Sequence, residues 1–176
     1  QELVVSVWDP TDSGYQPRGK QVKNPKSIWY TPTTGIWQTV WIEPVPRAYI
    51  DSLKIVPDID QGHVRITVST KGVAGEATVQ ATVLDDSKAI ATAKGTTGDT
   101  LALPIPDAKW WSPDSPFLYE LNVTLMKDGQ ANAEVSSYFG MRKISLGKDE
   151  SGITRILLNN RPLFQLGPLD QGFWPD

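Results

Sequence analysis

The sequence predicts an all-β protein built around an immunoglobulin-like β-sandwich. Apolar side chains recur with period two from end to end, and no stretch of a dozen residues holds them at helical spacing. Turn residues also punctuate residues 47–142 at intervals of about ten, the rhythm of a sandwich of short strands.

Taken in order, LVVSVW (3–8) reads as a strand. QPRGKQVKNPK follows, in which Arg18, Lys20, Lys23 and Lys26 have no acidic residue among them, and it reads as a solvated loop. TVWIEPVP (39–46) reads as a second strand, stopped by Pro44 and Pro46, which lack the N–H a ladder needs. Trp37 and Trp41 are an even number of residues apart, so on such a strand they would share a face as core, domain interface or sugar platform.

Seven runs then follow: IDSLKIV, HVRITVS, EATVQATVL, AIATAK, TLALPI, LYELNVTL and EVSSYFGM. Val64, Ile66 and Val68 alternate with Arg65, Thr67 and Ser69, and Ala77, Val79, Ala81 and Val83 with Thr78, Gln80 and Thr82. Tyr119, Leu121, Val123 and Leu125 alternate likewise, so each run buries one face and wets the other. Asp128-Gly129 supplies a positive-φ turn into the strand around Val135. Tyr119 stands where such sandwiches place a corner tyrosine bonded back to the preceding loop. Trp110 and Trp111 cannot both point inward on an extended backbone; one should pack the sandwich and the other meet a neighbouring domain. Asn122-Val123-Thr124 fits a glycosylation sequon but lies mid-strand and is discounted. Beyond the sandwich, ITRILLN and PLFQLG flank Asn159-Asn160-Arg161, which reads as a hairpin loop.

Composition narrows the chemistry. With 17 basic and 20 acidic residues the net charge is −3, so no nucleic-acid partner is expected. Without cysteine there is neither a disulfide nor a thiolate metal site, and His63, the sole histidine, reads as an exposed turn residue rather than part of a cluster or triad. No run approaches the ~20 apolar residues of a membrane span, and no basic-then-apolar leader opens the chain, so a soluble segment without a membrane partner is expected. The compartment is not written in the residues.

TTGIWQTVWIEPVP (33–46), WWSPDSPFLYELNVTL (110–125), SYFGMRKISL (137–146) and LLNNRPLFQLG (157–167), in that order and spacing, resemble glycoside hydrolase family 2, the family of β-galactosidases and β-glucuronidases. The resemblance implies three parts: residues 1–44 as the end of a jelly-roll sugar-binding domain, 45–146 as the immunoglobulin-like sandwich, and 147–176 as the opening hairpin of a catalytic (β/α)₈ barrel. The chain would then be an excerpt. Its edge strands should fold back on the sandwich, pair with a second copy or remain associated with other parts of the parent protein, the rest of the catalytic barrel among them.

The family is a retaining one with two catalytic glutamates, the acid/base following an asparagine, far along the barrel. No Asn-Glu dipeptide occurs here. Glu43, Glu120 and Glu134 fall at polar positions of strands, Glu76 and Glu150 in turn-like stretches, and Glu2 near the start, so no catalytic residue is assigned and the chain alone should be inactive. No cofactor and no metal is called for. Where the family reads Arg-Gly-Val-Asn-Arg-His, this chain has Leu166-Gly167-Pro168-Leu169-Asp170-Gln171, matching only at Gly167. Asp170 and Trp174 could line a sugar subsite, accepting hydroxyl hydrogen bonds and stacking on a pyranose, or belong to a barrel-capping loop. Arg142 is expected to serve the contact with the barrel, with an ordinary exposed arginine as the alternative. The rival reading is a stand-alone carbohydrate-binding or adhesive sandwich, suggested by the seven tryptophans.

Overall fold

The computed structural model describes residues 2–36 and 38–169. These residues carry ten strands and no helix. The chain divides into two compact units, Pro44–Gln165 and the remainder.

The larger unit is a sandwich of two antiparallel sheets. One holds β1 (Tyr49–Asp58), β2 (His63–Lys71) and β5 (Thr100–Pro104) in the order β1-β2-β5. The other holds β3 (Thr78–Asp85), β4 (Lys88–Thr96), β6 (Tyr119–Lys127) and β7 (Gln130–Phe139) in the order β4-β3-β6-β7. Each of the seven runs read as strands forms one. The alternation selects the core: Val64, Ile66 and Val68 from one sheet meet Val79, Ala81, Val83, Leu121, Val123 and Leu125 from the other in one fully buried cluster. With no disulfide between the sheets, this apolar area supplies their cohesion, at about 25 cal/mol per Å² removed from water.

Asp128 and Gly129 join β6 to β7 with φ of 50° and 75°, the pair of positive angles that a two-residue hairpin of matching twist requires. Asp86 and Ser87 join β3 to β4 in the same way, at 48° and 66°. His63 departs from expectation, because it opens β2 opposite Asp58 instead of lying in the turn.

β8 (Ile144–Lys148), β9 (Thr154–Leu158) and β10 (Arg161–Pro162) form a third antiparallel sheet in the order β10-β9-β8. The hairpin at Asn159 is present, but its loop is the asparagine pair alone, at φ of 52° and 66°, while Arg161 already pairs with Leu158. The strand expected over PLFQLG shrinks to its first residue, the rest being irregular as far as it is described.

In the smaller unit the strands expected at 3–8 and 39–43 are not formed, and with them goes the strand placement of Glu43 and of a tryptophan face; Trp37 lies outside the described residues. Leu3, Val4, Trp8, Val40, Trp41 and Ile42 are exposed. Alternation makes a strand only where a neighbour supplies hydrogen bonds and packing, and no ladder forms on these segments among the described residues. The basic stretch is folded against Asp12: Lys23 approaches its carboxylate at 3.8 Å and Arg18 donates to its backbone oxygen at 3.4 Å. Lys20 and Tyr30 are joined by a backbone hydrogen bond of 2.9 Å from Tyr30 N–H to Lys20 O.

Candidate functional site

The side chains with the most specific partners gather where the loop before β6, the end of β7 and the β9–β10 turn meet. Tyr119 anchors this end. Its ring is buried, stacks on Phe139 at 5.5 Å and meets Phe117 edge-on at 4.9 Å. Its hydroxyl accepts the Lys109 N–H at 2.8 Å, the corner-tyrosine bond the sequence predicts. Lys109 in turn reaches Asp85 at 2.7 Å with its ammonium 4.4 Å from the Phe117 ring centre, so the Asp85 carboxylate raises the lysine's pKa.

The two tryptophans part as the extended backbone demands. Trp111 donates its backbone N–H to Met141 O at 3.0 Å and lies against Gly140, where an added Cβ would come to 3.0 Å from the Trp111 Cβ. Trp110 remains 44% exposed. Arg142 is exposed but not free in solvent: its guanidinium carbon stands 4.7 Å from the centre of the Trp111 ring. Trp111 and Arg142 form one wall of an open groove of about 580 Å³ whose other sides include Ile55, Pro57, Leu118 and Tyr138. The groove offers apolar surface and one cation, with no carboxylate among its lining residues. It can dock a surface; it cannot supply general acid and base.

A hydrogen-bonded knot ties the third sheet to this end. Asn159 donates its backbone N–H to Lys143 O at 2.8 Å, accepts the Lys143 N–H on Oδ1 at 3.0 Å, and donates Nδ2–H to Trp111 O at 3.0 Å. Asn160 donates to Asp60 Oδ1 at 2.8 Å, and the Lys143 ammonium reaches Asp60 Oδ2 at 2.5 Å. Lys143, then Asn160, hold the Asp60 carboxyl below its ordinary pKa against a small opposing effect of burial. The sequence marked the asparagines as a turn, but not Asp60 or Lys143. The short alternation Ile144, Leu146 before Lys148 was the available sign of β8.

Glu2, Glu43, Glu76, Glu120, Glu134 and Glu150 are all exposed. The carboxyl groups with displaced titration, Asp60, Asp99 and Asp149, are all pushed down, Asp99 by the Thr96 hydroxyl and Asp149 by Arg155 first. They serve as ionised acceptors in turns, whereas a general acid needs a raised pKa. No cluster of three or more metal-ligating side chains occurs among the described residues. Asp170 and Trp174 lie outside the described residues.

Two antiparallel sheets with a corner tyrosine define an all-β sandwich of immunoglobulin-like form. The family model for glycosyl hydrolases family 2 matches residues 48–142, more than half of the 176-residue chain, and the chain belongs to this family. The β-galactosidase large subunit of Leuconostoc lactis is 30% identical over 139 residues, covering 74% of this chain and 21% of the relative. The β-glucuronidase of Sus scrofa is 27% identical over 164 residues, covering 88% of this chain and 24% of the relative. The crystal structure of Ruminococcus gnavus β-glucuronidase superposes on 69% of this chain and 20% of its own, with a TM-score of 0.57 at 20% identity, a likeness of fold. The chain thus spans about a fifth to a quarter of the length of these relatives.

Proposed function

We propose that the chain is a non-catalytic portion of a retaining glycosidase acting on β-linked sugars, with β-galactoside and β-glucuronide the substrate classes to try first. The observation that carries this is the family match over the sandwich, joined to a set of exposed glutamates and depressed aspartates that suits no acid/base pair. In this reading residues 1–44 belong to a sugar-binding domain, 45–146 brace the assembly and 147–176 lead into the catalytic barrel. The groove under Arg142 is where the barrel seats, its apolar walls giving area and the stacked guanidinium a donor for a carbonyl or carboxylate. Asp170 and Trp174 are assigned to a sugar subsite at the barrel's edge on sequence grounds alone. A stand-alone adhesive module would not need a hairpin knotted so tightly to the sandwich, and the family match favours the glycosidase.

Sequencing the gene downstream of this segment tests the proposal. An Asn-Glu dipeptide and a second, later glutamate within a barrel-like alternation of strands and helices are expected. A reading frame closing without them would overturn it.

A further inference from the structure

A second groove, of about 420 Å³, opens beside Trp110 on the same unit, between the turn at Ser112 and the β9–β10 hairpin. We propose that this groove is a pyranose-binding subsite. Trp110, a large aromatic residue left 44% exposed, lines it. Asp114 and Arg161 line the same groove, and the side chain of neither has an ion-pair or hydrogen-bond partner among the described residues. Two opposite charges in one groove, not spent on each other, leave an acceptor and a donor facing a ligand.

Both rims are already fixed. Asn159 is pinned by its three hydrogen bonds, and the turn opposite is closed by Ser112 N–H to Ser115 O at 3.0 Å and Ser115 N–H to Ser112 O at 3.1 Å. A ligand entering would therefore order little of the protein, which lowers the entropic cost of binding. A pyranose fits this chemistry. Its C–H face stacks on an indole, its hydroxyls donate to a carboxylate and accept from a guanidinium, and Pro162 adds apolar surface. Because the lining charges cancel, the groove suits a neutral sugar better than a uronate, which Asp114 repels as Arg161 attracts it. The volume lies at the small end of the range for ligand sites, about 300–1,000 Å³, and holds one or two rings.

The choice of a sugar as ligand rests on the glycosidase reading, but the test reads binding and needs no turnover, so the two fail separately. The chain is titrated with methyl β-D-galactopyranoside, and in parallel with methyl β-D-glucuronide, to about 100 mM while the indole N–H resonances are followed by NMR. The expected result is a saturable shift of one indole with a millimolar Kd for the neutral sugar, weaker for the uronate. It should be lost in Trp110→Ala, weakened about tenfold in Asp114→Asn and in Arg161→Ala, and unchanged in Trp41→Ala, with the spectrum of each variant otherwise that of the folded chain. No saturable shift in the unmodified chain, or a shift that survives Trp110→Ala, overturns the proposal. So does self-association abolished by Trp110→Ala, which would make the groove a protein contact.

Discussion

Tyr119 was legible at the residue scale because a corner tyrosine follows from its place at the head of an alternating run, and its bond to Lys109 N–H has the expected geometry. Tyr119→Phe keeps the packing and removes the acceptor of that part-buried N–H, so unfolding in urea should show a loss of about 0.5–1.5 kcal/mol. Arg142 was only half legible. Its place beside the sandwich's last strand pointed to a contact, but the stacking on Trp111 depends on the fold joining Trp111 to Met141, 30 positions away, which no local pattern announces. As an exposed cation over an indole it should contribute about 0.5–1 kcal/mol, so Arg142→Ala should lower stability by no more than that in the isolated chain. Gly140→Ala should cost about 1 kcal/mol, since the added methyl would come to 3.0 Å from the Trp111 Cβ and the tryptophan must shift by a few tenths of an ångström toward the groove to admit it.

Elements were readable where a hydrophobic face had something to face. The seven sandwich strands follow from alternation because each has two neighbours or a facing sheet, whereas LVVSVW and TVWIE carry the same alternation and form no ladder. β8 escaped notice because five residues and one glycine leave too short a pattern. The knot that holds its sheet was hidden for another reason: Asp60 and Asn160 are 100 positions apart, and only the fold brings them together. Its electrostatics make a signed prediction. A carboxyl whose folded pKa lies below the unfolded value of about 3.9 contributes stability that is present above that value and lost as pH falls through the folded one. Asp60→Asn should therefore destabilise the third sheet near neutral pH, and the difference from the unmodified chain should shrink to nothing as pH drops below about 4 toward 2. Chemical denaturation across that range reads the effect; a difference that stays constant with pH would mean the Asp60 charge is idle.

For the whole molecule, the two units should differ in stability. Hydrogen exchange on the isolated chain should find the amides of β1–β3 and β5–β7 the most protected and those of residues 3–8 and 39–43 open at low concentration, with protection of the latter rising with concentration if their exposed apolar side chains bring copies together. Uniform protection at every concentration would contradict the division at Pro44. The sandwich, as the family's most legible part, was therefore recoverable from residues alone, while the substrate-facing residues were not: the candidates Asp170 and Trp174 stand where the family's familiar motif matches at Gly167 only.

The central claim, that this chain braces a glycosidase without performing its chemistry, is tested most directly by assaying the purified chain against nitrophenyl β-galactoside and β-glucuronide. The account predicts no turnover above the rate in buffer, because a retaining hydrolysis needs two carboxyl groups about 5–5.5 Å apart, one of them an acid of raised pKa, whereas Asp60, Asp99 and Asp149 are all pushed down. Hydrolysis that co-purifies with the chain and vanishes on replacing one of its own glutamates, Glu120 or Glu134 for example, would contradict it.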